Sequence, residues 1–378
     1  SNAWARTTVH PSALSALAKA ASIFDCSAQQ TRLADSRKSP LATIVTCLAF
    51  NFFTLPMFRR KSTGRLASGK VQNESRPRLA KRYSRRVRAS IIGCGYVGQA
   101  LGQRLIALGH DVTGVRRSPD HNTRLAGLGI RPVNLDITGE GALAKLDDRY
   151  DWVVIAASSS RDGEEAHRKV FGLGSENIAR WLKSVDARTV VFISSTSVYP
   201  QINGEWVSEN SAAPPENGPG KILLEAEQTM ATAGPTVTLL RSSGIYGPSR
   251  GHLFRRFMSG NAVVEGDGSR YLNMVHRDDL VETIIAALKS GGRRGLYNIT
   301  DDEPVTQLDF FKWLSETTGR PMPPFVPEPD PSTRRRGITN KRVSNKLFKE
   351  TFGFKYKYPT FREGFEELKK LESDSVRR

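Results

Sequence analysis

Cysteine is scarce in this chain of 378 residues. Its three cysteines, Cys26, Cys47 and Cys94, have no paired spacing, which excludes a disulfide framework and a thiolate zinc site and fits a reducing compartment. Acidic residues are scarce at one end only. Residues 1–88 hold 17 Lys and Arg against Asp25, Asp35 and Glu74, so 14 of the 18 excess positive charges lie there. The remainder carries 39 bases and 35 acids, a net of +4, and so lacks the basic stripe of a nucleic-acid module. Long apolar runs are lacking too, with one exception, the 18 residues from Leu41 to Phe58. That run reaches the lower limit of a membrane span, but Thr43, Thr46, Asn51, Thr54 and Pro56 weaken it. It reads as part of a targeting segment or as sequence upstream of the true start, with a membrane anchor as the alternative.

Residues 1–86 are therefore expected to lie outside the fold. Ser1-Asn2-Ala3 looks like a tag-cleavage remnant. The stretch after it is rich in Ser, Thr, Ala and Arg, the composition of an organelle transit peptide. A chloroplast is the expected destination before a mitochondrion, or the cytoplasm if the extension is not translated. Lys61 to Arg88 is polar and basic and reads as a solvated linker.

Organised sequence begins at Val87. Val87 to Ile92 predicts a strand, Gly93-Cys94-Gly95-Tyr96-Val97-Gly98 comes next, and Gln99 to Leu108 predicts a helix with Leu101, Leu105 and Leu108 on one face and Gly109 as its stop. A Gly-x-Gly-x-x-Gly between a strand and a helix is a dinucleotide fingerprint. Gly93 would make the tight turn, Gly95 would let the backbone approach a pyrophosphate, and Gly98 would let the helix pack against the strand. Gly93, Gly95, Tyr96, Val97 and Gly98 thus form the candidate phosphate cradle, with the free amides and positive dipole end of the helix facing it. Asp111 to Val115 predicts the second strand. It ends in Arg116-Arg117-Ser118 where an NAD site usually places an acid, and two guanidinium groups with a hydroxyl suit the 2′-phosphate of NADP, with NAD as the alternative.

The alternation continues. Val133 to Ile137 predicts a third strand, with Asp136-Ile137 near an adenine. Trp152 to Ala156 predicts a fourth, ending in the small residues Ala156, Ala157, Ser158 and Ser159, over which a cofactor could lie. Glu164 to Val185 predicts a long helix, and Thr189 to Ile193 and Thr236 to Leu240 two more strands. The fold class is therefore α/β, a doubly wound parallel Rossmann sheet with its site at the strands' C-terminal ends.

At Ser194-Ser195-Thr196-Ser197-Val198-Tyr199 the chain comes to resemble the extended or atypical short-chain dehydrogenase/reductases of the nucleotide-sugar epimerase/dehydratase type. Arg241 to Pro248, Asn273 to Leu280, Tyr297-Asn298-Ile299, Arg342 to Asn345 and Tyr358 to Gly364 carry the likeness to the C-terminus. The resemblance implies a Rossmann core over residues 87–248 and a smaller C-terminal substrate lobe over 249–378, with about 273–300 returning to the core. It also implies a small polar substrate, for which a nucleotide sugar is a candidate; a monomer and a homodimer both stay open. In active members a Tyr-x-x-x-Lys pair supplies the acid/base and its cation. Ser195, with Thr196 beside it, takes the family's hydroxyl position, and Lys221 the lysine's, where it would hold the nicotinamide ribose. Four residues before Lys221, however, stands Asn217, which cannot act as an acid or base near neutral pH. Tyr199 is usually structural in the family. Tyr246 is expected to face substrate, and His276 either to titrate in the cleft or to be a hydrogen-bonded residue at a helix start. Asp162, Glu164, Glu165 and His167 come after the fourth strand and could reach the cleft, though such a run more often begins a solvated helix. Two functions are consistent with this: an NADP-dependent oxidoreductase or epimerase, or a non-catalytic NADP-binding sensor or assembly factor that has lost the chemistry.

Overall fold

The computed structural model describes residues 86–159, 163–213, 218–328 and 339–376, all within one compact unit. The expectations for residues 1–85, including the apolar run from Leu41 to Phe58, and for Asp162 and Asn217 lie outside the described residues. Among the described residues no helix is long and apolar enough to cross a membrane, and no group of three His, Cys, Asp or Glu side chains is placed to hold a metal.

Seven strands make one parallel sheet: β1 (Arg88–Ile92), β2 (Asp111–Arg116), β3 (Arg131–Asn134), β4 (Arg149–Ile155), β5 (Asp186–Ser195), β6 (Val237–Ser242) and β7 (Gly295–Ile299). Their order is β7-β6-β5-β4-β1-β2-β3, so the winding reverses at β1, and the crevice at that reversal is where such sheets bind ligands. The central strands are continuous apolar runs, such as Trp152-Val153-Val154-Ile155, because helices cover both faces. These helices are α1 (Tyr96–Ala107), α2 (Gly163–Arg168), α3 (Gly174–Leu182), α4 (Gly218–Ala231) and α5 (Arg277–Lys289). On one face Leu101 and Leu105 of α1 pack with Leu280, Ile284 and Leu288 of α5. On the other, Ile178 and Leu182 of α3 meet Ile222, Ala226 and Met230 of α4. Leu101 is wholly buried, and its truncation to Ala would cost about 2–5 kcal/mol. Gly109 ends α1 as expected: at φ 83° it lets its own amide reach Ile106 O and that of His110 reach Leu105 O.

Two elements differ from expectation. The third strand stops at Asn134, because Asp136 turns the chain by accepting hydrogen bonds from the amide and hydroxyl of Thr138. The long helix after β4 is broken by a wide π turn over Lys169–Leu173, which separates the polar α2 from the apolar stripe of α3. Beyond it Gly174 lies against Ile137, where a Cβ would sit 2.9 Å from the Ile137 side chain.

A third core, built on Phe254, Phe257, Phe310, Phe311, Phe361 and Phe365, forms a lobe with the helices α6 (Gln307–Thr318) and α7 (Phe361–Val376). Gln307 begins α6 because Thr306 caps it, its hydroxyl accepting from Asp309 N at 3.0 Å.

Candidate functional site

Gly93 leaves β1 at φ 90°, and its amide and that of Cys94 both donate to Val115 O at the end of β2 (3.1 and 2.9 Å). A Cβ on Gly93 would lie 2.5 Å from the main-chain carbon of Ala156, so the turn can touch the end of β4 only as glycine. A Cβ on Gly98 would lie 2.8 Å from Gly93 O and 3.0 Å from an Ile91 methyl group, which is the close packing of α1 on β1. Gly95 is different. A Cβ there would meet only Gly93 O, at 4.0 Å, and otherwise open space. The first amides of α1, at Tyr96 and Val97, precede the helix's own acceptors, and α1 has neither a side-chain cap nor an acid in its first turn. Its first amides are thus left without a capping group beside the open space at Gly95, which is what an anion requires.

Arginines crowd this end. Arg116 donates through Nη1 to Cys94 O (2.9 Å) and so braces the loop, while Arg117 is exposed beside it. The guanidinium groups of Arg250 and Arg277 lie 5.0 and 5.3 Å from the centre of the Tyr96 ring, whose hydroxyl donates to Pro248 O (3.0 Å). Burial pushes the Tyr96 phenol up despite both cations, and burial lifts the Cys94 thiol to about 11, so neither is a ready base or nucleophile. Asn134 donates to Ser118 O (3.1 Å), which ties the end of β3 to the turn carrying the arginines. At Asp136, burial pushes the carboxyl up, but the Thr138 bonds and Arg117 outweigh it and hold it below the usual range. Ile137 is turned into the core, so of that pair only Asp136 projects from the sheet edge. Ala156 and Ala157 are half-buried and Ser158 is exposed at the end of β4.

At the end of β5, Ser195 is half-buried with its Oγ accepting from Ser197 N (3.1 Å), and Thr196 is buried. Beneath them runs a network that sequence reasoning missed. Ser194 Oγ donates to Glu227 Oε1 (2.5 Å), and Glu227 makes a two-pronged pair with Arg241 (2.9 and 2.6 Å), both buried. Arg241 stacks over the Tyr199 ring at 4.9 Å, and the Tyr199 hydroxyl donates to Asn298 Oδ1 (2.9 Å). Lys341 donates to Tyr199 O (2.8 Å), and burial draws its ammonium down to about 8. Glu227 falls on the apolar face of α4, between Leu223 and Met230, and a lone acid on such a face was the available signal. Lys221 lies in the first turn of α4 with its side chain 55% exposed. Among the described residues its ion-pair partner is Glu225 on the same helix, at 4.0 Å, and not a group at the end of β5.

Both candidate substrate residues are buried. Tyr246 is 2% exposed in the lobe core, stacked on Phe365 at 4.4 Å with its hydroxyl against Gly364, so it does not face a cleft. His276 is 1% exposed and takes the other expected role: it begins α5, with Nδ1 accepting from Asp278 N (3.3 Å). Burial draws its imidazole down to about 4, against the pull of Asp278 and Glu367. Nearby, burial pushes the Asp301 carboxyl well above the carboxylate range. Glu164 and Glu165 are exposed and pair with Arg168 and Lys169 one turn on, which is a solvated helix face. His167 of the same run turns inward, to Ser159 and to Pro219 O.

The sequence model of the NAD dependent epimerase/dehydratase family matches residues 90–300. The chain belongs to that family. It is 28% identical over 280 residues to Protein YeeZ of Escherichia coli K12, covering 72% of this chain and 96% of that protein. It is 28% identical over 194 residues to the chloroplastic SDR39U1 homolog of Arabidopsis thaliana, an epimerase family protein, covering 46% of this chain and 53% of that one. The structure of MoeE5 in complex with UDP-glucose and NAD superposes with a TM-score of 0.65 at 22% identity, covering 76% of this chain and 99% of that one, a likeness of fold.

The residues present fit the family's nucleotide. The open space at Gly95 is a cradle that a bulky side chain would fill, and the donors around it are amides and guanidinium groups without a competing carboxylate in the first turn of α1.

Proposed function

We propose that this chain is an NADP-preferring oxidoreductase or epimerase acting on a small polar substrate of nucleotide-sugar type. The observation that carries this reading is the open cradle at Gly95 under an uncapped helix end, with Arg116 and Arg117 at the neighbouring strand end. When bound, the nicotinamide supplies a two-electron hydride acceptor or donor. The amides of Tyr96 and Val97 hold the diphosphate, and Arg117 with Ser118 holds a 2′-phosphate while Arg116 braces the loop. Ala156, Ala157 and Ser158 form the floor, Asp136 borders the adenosine, and Ser195 with Thr196 orients the reacting oxygen. We read residues 87–248 as the nucleotide-binding core, 249–378 as the substrate lobe, and 1–86 as a plastid-targeting extension, the last supported by the chloroplastic relative.

A second reading, a non-catalytic NADP-binding sensor or assembly factor, is favoured by Lys221 lying exposed beside Glu225. Titration with NADPH and NADH decides the shared part: NADPH should bind at least about tenfold tighter, a difference of about 1.4 kcal/mol. Failure of both nucleotides to bind at millimolar concentration would overturn both readings. Mass spectrometry of small molecules that co-purify with the chain then separates the two, a nucleotide sugar supporting the enzyme.

A further inference from the structure

We propose that Ser159 and His167 form the proton-transfer pair of this site, in the role that a phenol at position 217 would otherwise fill; the inference rests on the dinucleotide reading above. Ser159 Oγ lies 2.9 Å from His167 Nδ1, and His167 Nε2 lies 3.1 Å from Pro219 O. A carbonyl oxygen only accepts, so Nε2 carries the hydrogen. In the neutral ring Nδ1 is then the lone pair, and the Ser159 hydroxyl donates to it. A hydroxyl, a base within hydrogen-bond reach and a third group that orients the base is the general design of an activated hydroxyl.

The pair sits where the chemistry needs it. Ser159 is two residues past Ala157, the residue that the Gly93 turn touches. β4 and β5 run in parallel register, with Ile155 opposite Phe192, so the chain leaving β4 emerges beside the Ser194-Ser195-Thr196 end of β5. Pro219 opens α4, the helix that carries Lys221 and Glu227. The imidazole therefore joins the segment that leaves β4 to the first turn of α4. Its ring lies 4.5 Å from Phe171, within the π turn, and that turn lets α2 carry His167 inward while its acids stay in water. The charged groups on the two joined helices are Glu164, Glu165 and Arg168 on α2 and Lys221, Glu225 and the buried, Arg241-paired Glu227 on α4, with Lys169 opening the π turn.

In the oxidative direction the carbon-bound hydrogen of a secondary alcohol would leave as hydride, for which a nicotinamide held at this cradle would be the acceptor. The alcohol's hydroxyl proton passes to Ser159 Oγ as the serine proton passes to His167 Nδ1, leaving a ketone, a reduced nicotinamide and an imidazolium that returns its proton to solvent or, in the reverse step, to the ketone oxygen. Ser195 remains the orienting donor.

The test tracks the imidazole itself by nitrogen-15 NMR on the full chain, with His167→Gln identifying its signals among the six histidines. Oxidised nicotinamide carries a positive charge that the reduced ring lacks. The His167 midpoint should therefore be lower by about half a pH unit or more in the NADP⁺ complex than in the NADPH complex. Ser159→Ala should move the His167 Nδ1 resonance, because the hydroxyl that donates to it is removed. Equal midpoints in the two complexes, or an Nδ1 signal indifferent to Ser159→Ala, would overturn the pair and leave the nucleotide site standing. Absence of nucleotide binding would remove both together.

Discussion

The three glycines of the loop should separate scaffold from ligand seat when each is given a side chain. Gly93→Ala forces a Cβ into the Ala156–Ala157 main chain at φ 90°. The left-handed conformation costs about 1–2 kcal/mol and the overpacking about 1–3 kcal/mol, so about 2–5 kcal/mol together. At about 2–4 °C per kcal/mol for a domain of this size, Tm should fall by about 4–20 °C. Gly98→Ala meets Gly93 O and an Ile91 methyl group but gains about 1 kcal/mol of helix propensity, leaving a net loss of about 0–2 kcal/mol. Gly95→Ala meets nothing closer than 4.0 Å and should melt like the parent. Gly95→Val places a branched side chain in the space reserved for the diphosphate. The melting assay is run with and without NADPH. At a hundred times Kd the parent gains about 2.7 kcal/mol from the ligand, and Gly95→Val should lose that gain while keeping the parent's ligand-free Tm. A Gly95→Val protein with the full ligand-induced shift, or a Gly95→Ala protein as unstable as Gly93→Ala, would refute the reasoning.

Arg117→Ala should cut NADPH affinity about tenfold or more and leave NADH affinity and Tm unchanged, since one charge-assisted hydrogen bond is worth about 1.5–3 kcal/mol; equal losses for both nucleotides would argue against a 2′-phosphate contact. Arg241→Met strands the Glu227 carboxylate in the core and should cost about 3–5 kcal/mol in a chemical denaturation series, with the double variant Arg241→Met, Glu227→Leu recovering much of it. The His276 imidazole is depressed in the fold, so its stability contribution is whole above the unfolded value near 6.5 and is lost as pH falls towards about 4; His276→Asn should flatten melting against pH over that interval. Asp301 has the opposite sign. Its folded carboxyl is raised, so the stability present below pH 3.8 is lost as pH rises towards the folded value, and the Tm of Asp301→Asn relative to the parent should be higher at pH 7 than at pH 4.

What could be read from the sequence was local. The glycine spacing, the apolar runs of β1 and β4 and the stop at Gly109 each depend on neighbours within one turn or strand, and the resemblance supplied the order of the later elements. What could not be read was set by distant partners. Tyr246 ends a strand and precedes Gly247-Pro248, which suggests a loop over a cleft, yet Phe365 and Gly364, more than a hundred residues on, close over it. Glu227 and Arg241 each stand in plain view, but nothing in the chain between them says that they meet. The end of β3 and the π turn before α3 depend on one another through Ile137 and Gly174, a contact between segments that periodicity treats separately.

The same division explains why the sequence hides His167. Within Glu164 to Arg168 it belongs to a polar run, and four of its neighbours do form the exposed ion pairs that such a run predicts. Its Ser159 and Pro219 partners come from the end of β4 and the start of α4, so only the assembled fold brings a hydroxyl, an imidazole and a carbonyl into line. Acidity then decides the chemistry. A phenol near pKa 10 needs a nearby cation to become a base, and Lys221, which would provide it, pairs with Glu225. A serine hydroxyl is a still weaker acid, but it can pass its proton directly to an imidazole. An exposed lysine and an inward-turned histidine are therefore consistent parts of one arrangement. In it the proton path runs through α2, and the helix that carries Lys221 contributes a backbone carbonyl.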